Sequence, residues 1–149
     1  MSLQIRVIEL DKLTPEQRRI NMQKIRSKNT QPELFVRRLL HSMGYRYRLH
    51  VANFNGKPDI VFRKIKKAIF VHGCFWHQHR GCKNASIPSS NKDYWIPKLT
   101  KNQLRDKQNQ KALSDNGWAY LVVWECQLKD YDKLSKDLRN FLDKHITSN

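Results

Sequence analysis

The sequence predicts an α/β fold in which helices flank a mixed central sheet. Two helical segments with N-terminal capping residues come first and three short apolar segments of strand type follow, before a helix, a further apolar strand and a closing helix. At 149 residues the chain is long enough for one hydrophobic core. We therefore predict one domain, 1–149, with a basic arm and helix at 1–29 and the core and C-terminal helix at 30–149.

The charge of the chain predicts a polyanionic partner. Its formal net charge of +16 creates a field that attracts phosphates, so nucleic acid is the first candidate. An anionic membrane surface would need a basic amphipathic helix or an anchor, and no apolar run approaches the ~18 residues of a membrane span. The chain also begins without a signal-peptide pattern. We expect a cytoplasmic protein without a membrane partner.

Two helix starts have the same capping pattern. Thr14 and Gln17 have the spacing of a capping box, and Thr30 and Glu33 repeat it, which is a sufficient structural explanation for Glu33. The second helix has an apolar stripe that ends at Gly44, a typical C-terminal residue: Phe35, Val36, Leu39, Leu40 and Met43. The cations of the first helix either face solvent or contact phosphates: Arg18, Arg19, Lys24, Arg26 and Lys28.

Apolar segments bounded by turn residues predict four strands: 45–49, 59–62, 68–71 and 118–124. A basic turn at 63–67 would join the second strand to the third. A long helix is predicted from residue 93 to the Asn-Gly pair at 116–117, and Pro97 fits it only if the helix begins near Tyr94. An amphipathic helix at 132–146 closes the chain.

Asp59 stands at the start of an apolar strand, directly after Pro58. A carboxylate is poorly suited to a core unless it is paired or binds a metal ion. Asp59 is therefore the best candidate ligand for a hard cation in this chain. The structural alternative is an ordinary turn aspartate.

The stretch 72–82 is the most unusual part of the chain. It holds three of the six histidines and two of the three cysteines, directly after the third strand. Two thiolates and an imidazole at this spacing suit zinc, and the remaining cysteine completes a closed Cys3His site: Cys74, His79, Cys82 and Cys126. The alternative is a set of reduced thiols beside a solvated histidine. His72 and His77 are left for other chemistry.

These motifs together resemble known nucleases. A proline-aspartate pair at the second strand and a polar cluster at the end of the third resemble the PD-(D/E)xK restriction-endonuclease-like core. Longer strings resemble the very short patch repair (Vsr) mismatch endonucleases over residues 14–130: 21–22, 58–59, 70–77, 94–98, 102–106 and 123–126. The resemblance implies a bacterial enzyme, acting at the nucleoid, that nicks one DNA strand 5′ to the thymine of a T:G mismatch left by deamination of 5-methylcytosine.

The resemblance also implies roles for single residues. Asp59 would bind Mg2+, His77 would act as general base, and His72 would be a second active-site histidine. Two acidic residues would lie near the catalytic centre, namely Glu33 and Asp106. Four residues would hold a structural zinc ion: Cys74, His79, Cys82 and Cys126. Four side chains would wedge into the DNA base stack: Met22, Phe75, Trp76 and Trp95. Alternatively, Trp95 is a core residue and the Phe-Trp pair at 75–76 packs on the zinc loop.

The chain departs from the wider nuclease pattern at the third strand. Most PD-(D/E)xK nucleases have Glu-x-Lys there, whereas residues 71–73 read Val-His-Gly, so the Val71 main-chain oxygen would supplement Asp59 at the magnesium site. The partner implied is double-stranded DNA with a T:G mismatch, other mismatch-repair proteins are further candidates, and a monomer suffices for a nick. Two alternatives stay open: a related nicking or restriction-type endonuclease, and a non-catalytic zinc DNA-binding module.

Overall fold

The computed structural model of the chain describes residues 14–17, 19, 28–52 and 54–144. Its sheet has four strands in the order β1 to β4: Arg48–Leu49, Ile60–Phe62, Lys67–His72 and Ala119–Trp124. The first two pairings are antiparallel, whereas β3 and β4 run parallel with His72 opposite Trp124. The predicted α/β class with a mixed sheet is confirmed.

In the described part of the chain, three α-helices flank the sheet: α1 (Gln31–Ser42), α2 (Lys92–Asp115) and α3 (Tyr131–Asp143). Short 3-10 helices occupy Lys83–Ala85 and Glu125–Lys129. Residues 15–17 are also helical, and Thr14 and Gln17 cap each other reciprocally, as predicted. Met22 and most of the predicted basic helix lie outside the described residues. Within the described ranges, every helix is too short or too polar to cross a membrane.

Alternation of side chains along β3 creates two apolar layers. Ile69 and Val71 face the larger core, whereas Ala68 and Phe70 face a smaller one on the opposite side. The larger core lies between the sheet, α1 and α3: Val36, Leu39, Leu40, Ile60, Phe62, Ile69, Val71, Val123, Leu134, Leu138 and Leu142. The smaller core includes Leu113 of α2. The sheet is therefore covered by α1 and α3 on one face and by α2 on the other.

Strand β1 is shorter than the predicted 45–49 because nearby backbone groups bond elsewhere. The Tyr45 N–H donates to the Leu40 carbonyl oxygen at 3.0 Å, where it helps to end α1. The rings of Tyr45 and Tyr47 pack edge-on against Phe62, with centroids 6.4 and 6.2 Å away. Tyr45 and Tyr47, which suggested a longer strand, thus pack over the core from outside the sheet. Gly44 follows α1 with φ +93°, as its predicted role at the helix end requires.

The position of Lys67 corrects the predicted extent of the basic turn. The turn ends at residue 66, and Lys67 lies in β3 with only 3% of its surface exposed. Its ammonium donates to carbonyl oxygens at the C-terminus of α3: Phe141, Leu142 and Lys144. Burial lowers the pKa of Lys67, while the negative end of the helix dipole favours its charge. A cation hidden from solvent thus ties α3 to the sheet.

Candidate active site

The start of β2 and the end of β3 meet at one edge of the antiparallel pair, and Asp59 lies there. Its N–H donates to the Ile69 carbonyl oxygen at 3.1 Å, so its backbone continues the strand pairing. Its carboxylate Oδ2 accepts from the Val71 N–H at 2.7 Å. The aspartate predicted from its odd position in an apolar strand is therefore held in one orientation at the end of β3.

The environment of Asp59 favours the protonated carboxyl. Burial raises the pKa of Asp59 to about 7, although the Val71 N–H acts in the opposite direction. The negative charge of Glu33 raises this pKa further, whereas the positive charges of His77 and Arg37 lower it. His77 is thus near enough for its charge to act on Asp59. A cation beside the carboxyl would favour its ionised form.

His72 and His77 form a stacked pair. Their ring centroids lie 3.8 Å apart with an interplanar angle of 5°. His72, the last residue of β3, is only 4% exposed, and burial followed by the charge of His77 lowers its pKa to about 3. Its Nδ1 has no hydrogen-bond partner among the described residues. His72 is therefore a neutral, buried ring against which His77 rests.

Asp106 of α2 orients His77. Its Oδ2 lies 2.6 Å from His77 Nδ1, and its Oδ1 lies 4.0 Å from His72 Nε2. A carboxylate can only accept, so His77 Nδ1 carries a proton, and Nε2 is the nitrogen that offers a lone pair whenever the ring is neutral. One turn earlier, Asn102 Nδ2 donates to the Trp76 carbonyl oxygen at 3.1 Å. This face of α2 thus holds the 72–82 loop and leaves a proton acceptor at Nε2.

Glu33 lies in the same region but differs from its predicted capping geometry. Thr30 Oγ1 accepts from the Glu33 N–H at 3.3 Å, as in a capping box. The Glu33 carboxylate instead accepts from the Asn29 N–H at 3.1 Å and from Arg37 Nη2 at 2.9 Å. The reciprocal half of the predicted box is therefore wrong. The reason is that the carboxylate is drawn to a buried guanidinium.

Three side chains that could bind a metal ion meet between α1 and β2. Ligand atoms of Glu33, His50 and Asp59 all lie within 4.8 Å of one another. Glu33 is thus brought to Asp59, where the family resemblance expected an acidic residue. Sequence reasoning missed His50 and Arg37, because no periodicity or spacing distinguishes either one from a surface residue. They come together only in the folded chain, where Arg37 of α1 lies 2.9 Å from His50, the residue that follows β1.

The four residues proposed as zinc ligands form one compact group. Their ligand atoms lie within 4.8 Å of one another: Cys74, His79, Cys82 and Cys126. The register of β3 and β4 explains why Cys74 and Cys126 lie close together, because each follows the paired residues His72 and Trp124 by two positions. His79 Nδ1 lies 3.7 Å from Cys74 Sγ and 3.5 Å from Cys126 Sγ.

This donor set fits tetrahedral zinc. Zinc–sulfur bonds of about 2.3 Å and zinc–nitrogen bonds of about 2.05 Å give a tetrahedral S···N edge of about 3.6 Å, which the two observed separations bracket. Burial raises the pKa of Cys74 to about 12 and also raises the pKa of Cys126, so these thiols need a cation to ionise. The His79 ring also stacks on Trp124, with centroids 4.1 Å apart.

The aromatic side chains predicted to enter DNA are largely buried in this structure. Phe75 is 1% exposed and Trp95 is 0% exposed, and both pack with Leu99. Trp76 is half-buried and packs against this cluster, and its Nε1 has no hydrogen-bond partner within the described ranges. The alternative of aromatic packing beneath the zinc loop thus describes the free protein. Insertion into a base stack would require these rings to leave the cluster, and it stays a prediction.

Comparison with known proteins places the chain among DNA endonucleases. Residues 10–84 match the family described as DNA mismatch endonuclease Vsr. The type II nicking enzyme V.XorIIP of Xanthomonas oryzae pv. oryzae is 53% identical over 133 residues, which cover 89% of this chain and 97% of that protein. The type II nicking enzyme V.NmeAIP of Neisseria meningitidis is 47% identical over 120 residues, or 80% and 85% of the two chains.

A mismatch endonuclease is also among the relatives. The DNA mismatch endonuclease Vsr of Escherichia coli K12 is 36% identical over 117 residues, which cover 78% of this chain and 74% of that protein. The chain belongs to the Vsr DNA mismatch endonuclease family. The predicted resemblance is confirmed, and the mixed α/β sheet fits a restriction-endonuclease-like fold.

Proposed function

We propose that this protein is a Mg2+-dependent nickase that hydrolyses one strand of duplex DNA 5′ to the thymine of a T:G mismatch. The observation that carries the proposal is the His77–Asp106 hydrogen bond of 2.6 Å beside Asp59, in a member of the Vsr family. Phosphodiester hydrolysis requires a general base and a ligand for a hard cation, and a strongly basic chain attracts the DNA substrate.

Asp59 and the Val71 carbonyl oxygen would hold the Mg2+ ion. Ile69 directs its carbonyl oxygen to Asp59, and Val71 directs its N–H to the same residue. Because alternate residues of a strand point their N–H and C=O groups to the same edge, this supports a Val71 oxygen on the Asp59 side. When bound, Mg2+ neutralises charge that develops on the phosphate and orients water.

His77 would take the proton from the attacking water at Nε2. Asp106 accepts the Nδ1–H, so it fixes the tautomer and stabilises the imidazolium that forms. His72 stays neutral because of its low pKa, and it therefore restrains the His77 ring without repelling the new charge. The proton moves from water to Nε2, and Nδ1 keeps its own.

The thiol and imidazole group would hold a structural Zn2+ ion. It involves all three cysteines of the chain and leaves no open position for a substrate. Its four ligands fasten the 74–82 loop to the end of β4, and His77 lies within that loop. The zinc site would therefore preorganise the general base.

A mismatch would be selected by the low cost of opening it. Unstacking a base step costs a few kcal/mol and least at a mispaired base, so insertion of aromatic side chains converts weak pairing into selectivity. Phe75 and Trp76 lie on the same loop as His77 and pack against Trp95 of α2. These rings would have to rearrange on DNA, a change that a mismatch facilitates.

Nicking of a specific, fully paired sequence is the second candidate function. Two relatives with 53% and 47% identity are named type II nicking enzymes, whereas the relative named a mismatch endonuclease has 36% identity. A duplex series separates the two functions: T:G, T:A and C:G pairs in the same flanks, with each strand labelled separately. We expect one nick, 5′ to the mispaired thymine, only with Mg2+ present.

Asp59→Ala should bind this duplex and leave it intact, whereas His77→Ala should bind it and nick it only at a residual rate, about 100-fold to 10,000-fold below wild type. Equal nicking of T:A and T:G duplexes would establish the second function instead. Retained nicking by both variants would contradict the assigned chemistry. The non-catalytic alternative predicts no nick on any duplex in the series.

A further inference from the structure

The turn that joins β2 to β3 lies at the end of the sheet opposite the candidate active site. Strand β3 begins at Lys67, directly after the turn, and ends at His72, which stacks on His77. At a rise of about 3.3 Å per residue, the path from Lys66 to His72 spans about 20 Å. A DNA segment held at Asp59 and His77 is therefore separated from this turn by the length of the sheet.

The basic turn, residues 63–66, consists of three cations and one isoleucine. Arg63, Lys64 and Lys66 are exposed, and none of them belongs to an ion pair within the described part of the chain. Arg37 and Lys111, by contrast, are paired with carboxylates. The turn therefore presents three positive charges that no acidic side chain neutralises.

Backbone hydrogen bonds fix the position of the turn. The Lys66 N–H donates to the Arg63 carbonyl oxygen at 3.3 Å, and the Ala119 N–H donates to the Lys66 carbonyl oxygen at 3.1 Å. The next residue, Lys67, binds the C-terminus of α3 through its ammonium. The turn is thus attached to β4 and α3, so its cations bind a partner with less loss of conformational entropy than a flexible tail would.

Neighbouring elements add positive charge at this end of the sheet. Arg46 is exposed and precedes β1, whose antiparallel register with β2 directs it towards the turn. The charge of Lys144, just after α3, lowers the pKa of Lys67. Asp143 lies nearby, where its carboxylate accepts from the Tyr45 hydroxyl at 2.7 Å. The cations outnumber this acid, so the surface is positive.

We propose that the basic turn, with Arg46 and Lys144 beside it, binds the phosphate backbone of a second segment of duplex DNA while the active-site face holds the first, an interaction that rests on the DNA binding of the proposed function. Unpaired cations bind DNA phosphates whatever the base sequence. The second segment can thus be fully paired. An enzyme that holds two segments can pass from one to the other without dissociating, which suits a search for rare sites.

A bridging assay tests this second contact. A short biotinylated T:G duplex on beads binds a limiting amount of the full-length protein, and a labelled, fully paired duplex is added without divalent ions. Wild-type protein should retain the labelled duplex. The variant Arg63→Gln/Lys64→Gln/Lys66→Asn should bind it at least about tenfold more weakly, because counterion release adds about eightfold per phosphate contact at 0.1 M salt. Asn is chosen at position 66 because it tolerates the φ of +52° there.

The matched control removes the same charge from exposed positions at the start of α3 and just before it: Lys129→Gln/Lys133→Gln/Lys136→Gln. It should keep the second affinity within about twofold of wild type, since these residues lie outside the turn. The turn variant should nick a short T:G duplex with Mg2+ at a rate within about threefold of wild type, which also shows that it folds.

Arg63→Gln/Lys64→Gln keeps Lys66 and provides a second variant in case the triple variant does not fold. It should lose about fivefold or more of the second affinity. No labelled duplex on wild-type protein, equal retention by a folded turn variant, or an equal loss in the α3 control would each overturn the inference. Wild-type protein that retains the labelled duplex but never nicks the T:G duplex would instead overturn the proposed function.

Discussion

Replacement of Asp106 by Asn should slow nicking without loss of the fold. The amide keeps the shape of the side chain but removes the charge that lies 2.6 Å from His77 Nδ1. With charge centres about 4 Å apart and an effective dielectric near 20, the carboxylate stabilises an imidazolium by about 4 kcal/mol, and a charged hydrogen bond measured by mutation is worth about 2 kcal/mol. These bounds correspond to a loss of about 30-fold to 1,000-fold in rate.

The assay is single-turnover nicking of a labelled T:G duplex at saturating Mg2+. Asp115→Asn is the matched control, because Asp115 lies on the same helix but pairs on the surface with Lys111. In a His77→Ala background, Asp106→Asn should cost less than about threefold, since the two residues act as one unit. A full additional loss in that background, or an Asp106→Asn rate within about threefold of wild type, would refute the orienting role.

The remaining predictions concern pH, zinc and the C-terminal helix. Burial raises the pKa of Asp59 from its ordinary value of 3.8 to about 7 in the folded chain, so the folded chain retains a proton that the unfolded chain releases. Without added divalent ions, the unfolding free energy of Asp59→Asn should therefore rise relative to wild type by roughly 1.4 kcal/mol per pH unit between pH 4 and pH 7. Urea denaturation at pH 4 and pH 8 measures this difference. The same difference between variant and wild type at both pH values would contradict the prediction. Cys126→Ser should lose zinc, measured by mass spectrometry, and lower the melting temperature by about 10 °C or more, whereas unchanged zinc content would remove Cys126 from the site. Lys67→Met should cost about 1–3 kcal/mol of unfolding free energy, and the exposed turn variant Lys64→Met less than about 0.5 kcal/mol, so equal losses would contradict the role of the buried ammonium.

Sequence reasoning located the parts of the fold that depend on local pattern. The apolar run before His72 forms β3, and capping residues and an apolar stripe define α1. The short length of β1 was not predictable, because Tyr45 and Tyr47 have strand-like character but cover Phe62 from a loop. Lys67 was also misplaced, since the carbonyl groups that satisfy its charge lie more than 70 residues away.

The candidate site shows the same difference: local sequence patterns predicted some of its residues, whereas others depend on tertiary contacts. The grouping of the four thiol and imidazole side chains was predictable from the sequence, because cysteines are rare and their spacing limits the chemistry. Asp59 was found because a carboxylate before an apolar strand contradicts its surroundings. Asp106 was implied by the family resemblance alone, as its neighbours Arg105 and Lys107 make it resemble any surface acid. Arg37 and His50 had no signal at all, because only tertiary packing brings them together.

Strand β3 connects the two groups proposed to bind metal ions, and this arrangement has a physical consequence. Its Val71 N–H fixes Asp59 across an antiparallel edge, while the residues after His72 turn towards Cys126 at the end of the parallel neighbour β4. The carboxyl is therefore held by backbone hydrogen bonding, whereas His77 is held by the loop that the thiols would clamp and by α2. Two independent supports meet at the end of β3, so Asp59 and His77, the proposed cation ligand and the proposed general base, are positioned together only in the complete fold.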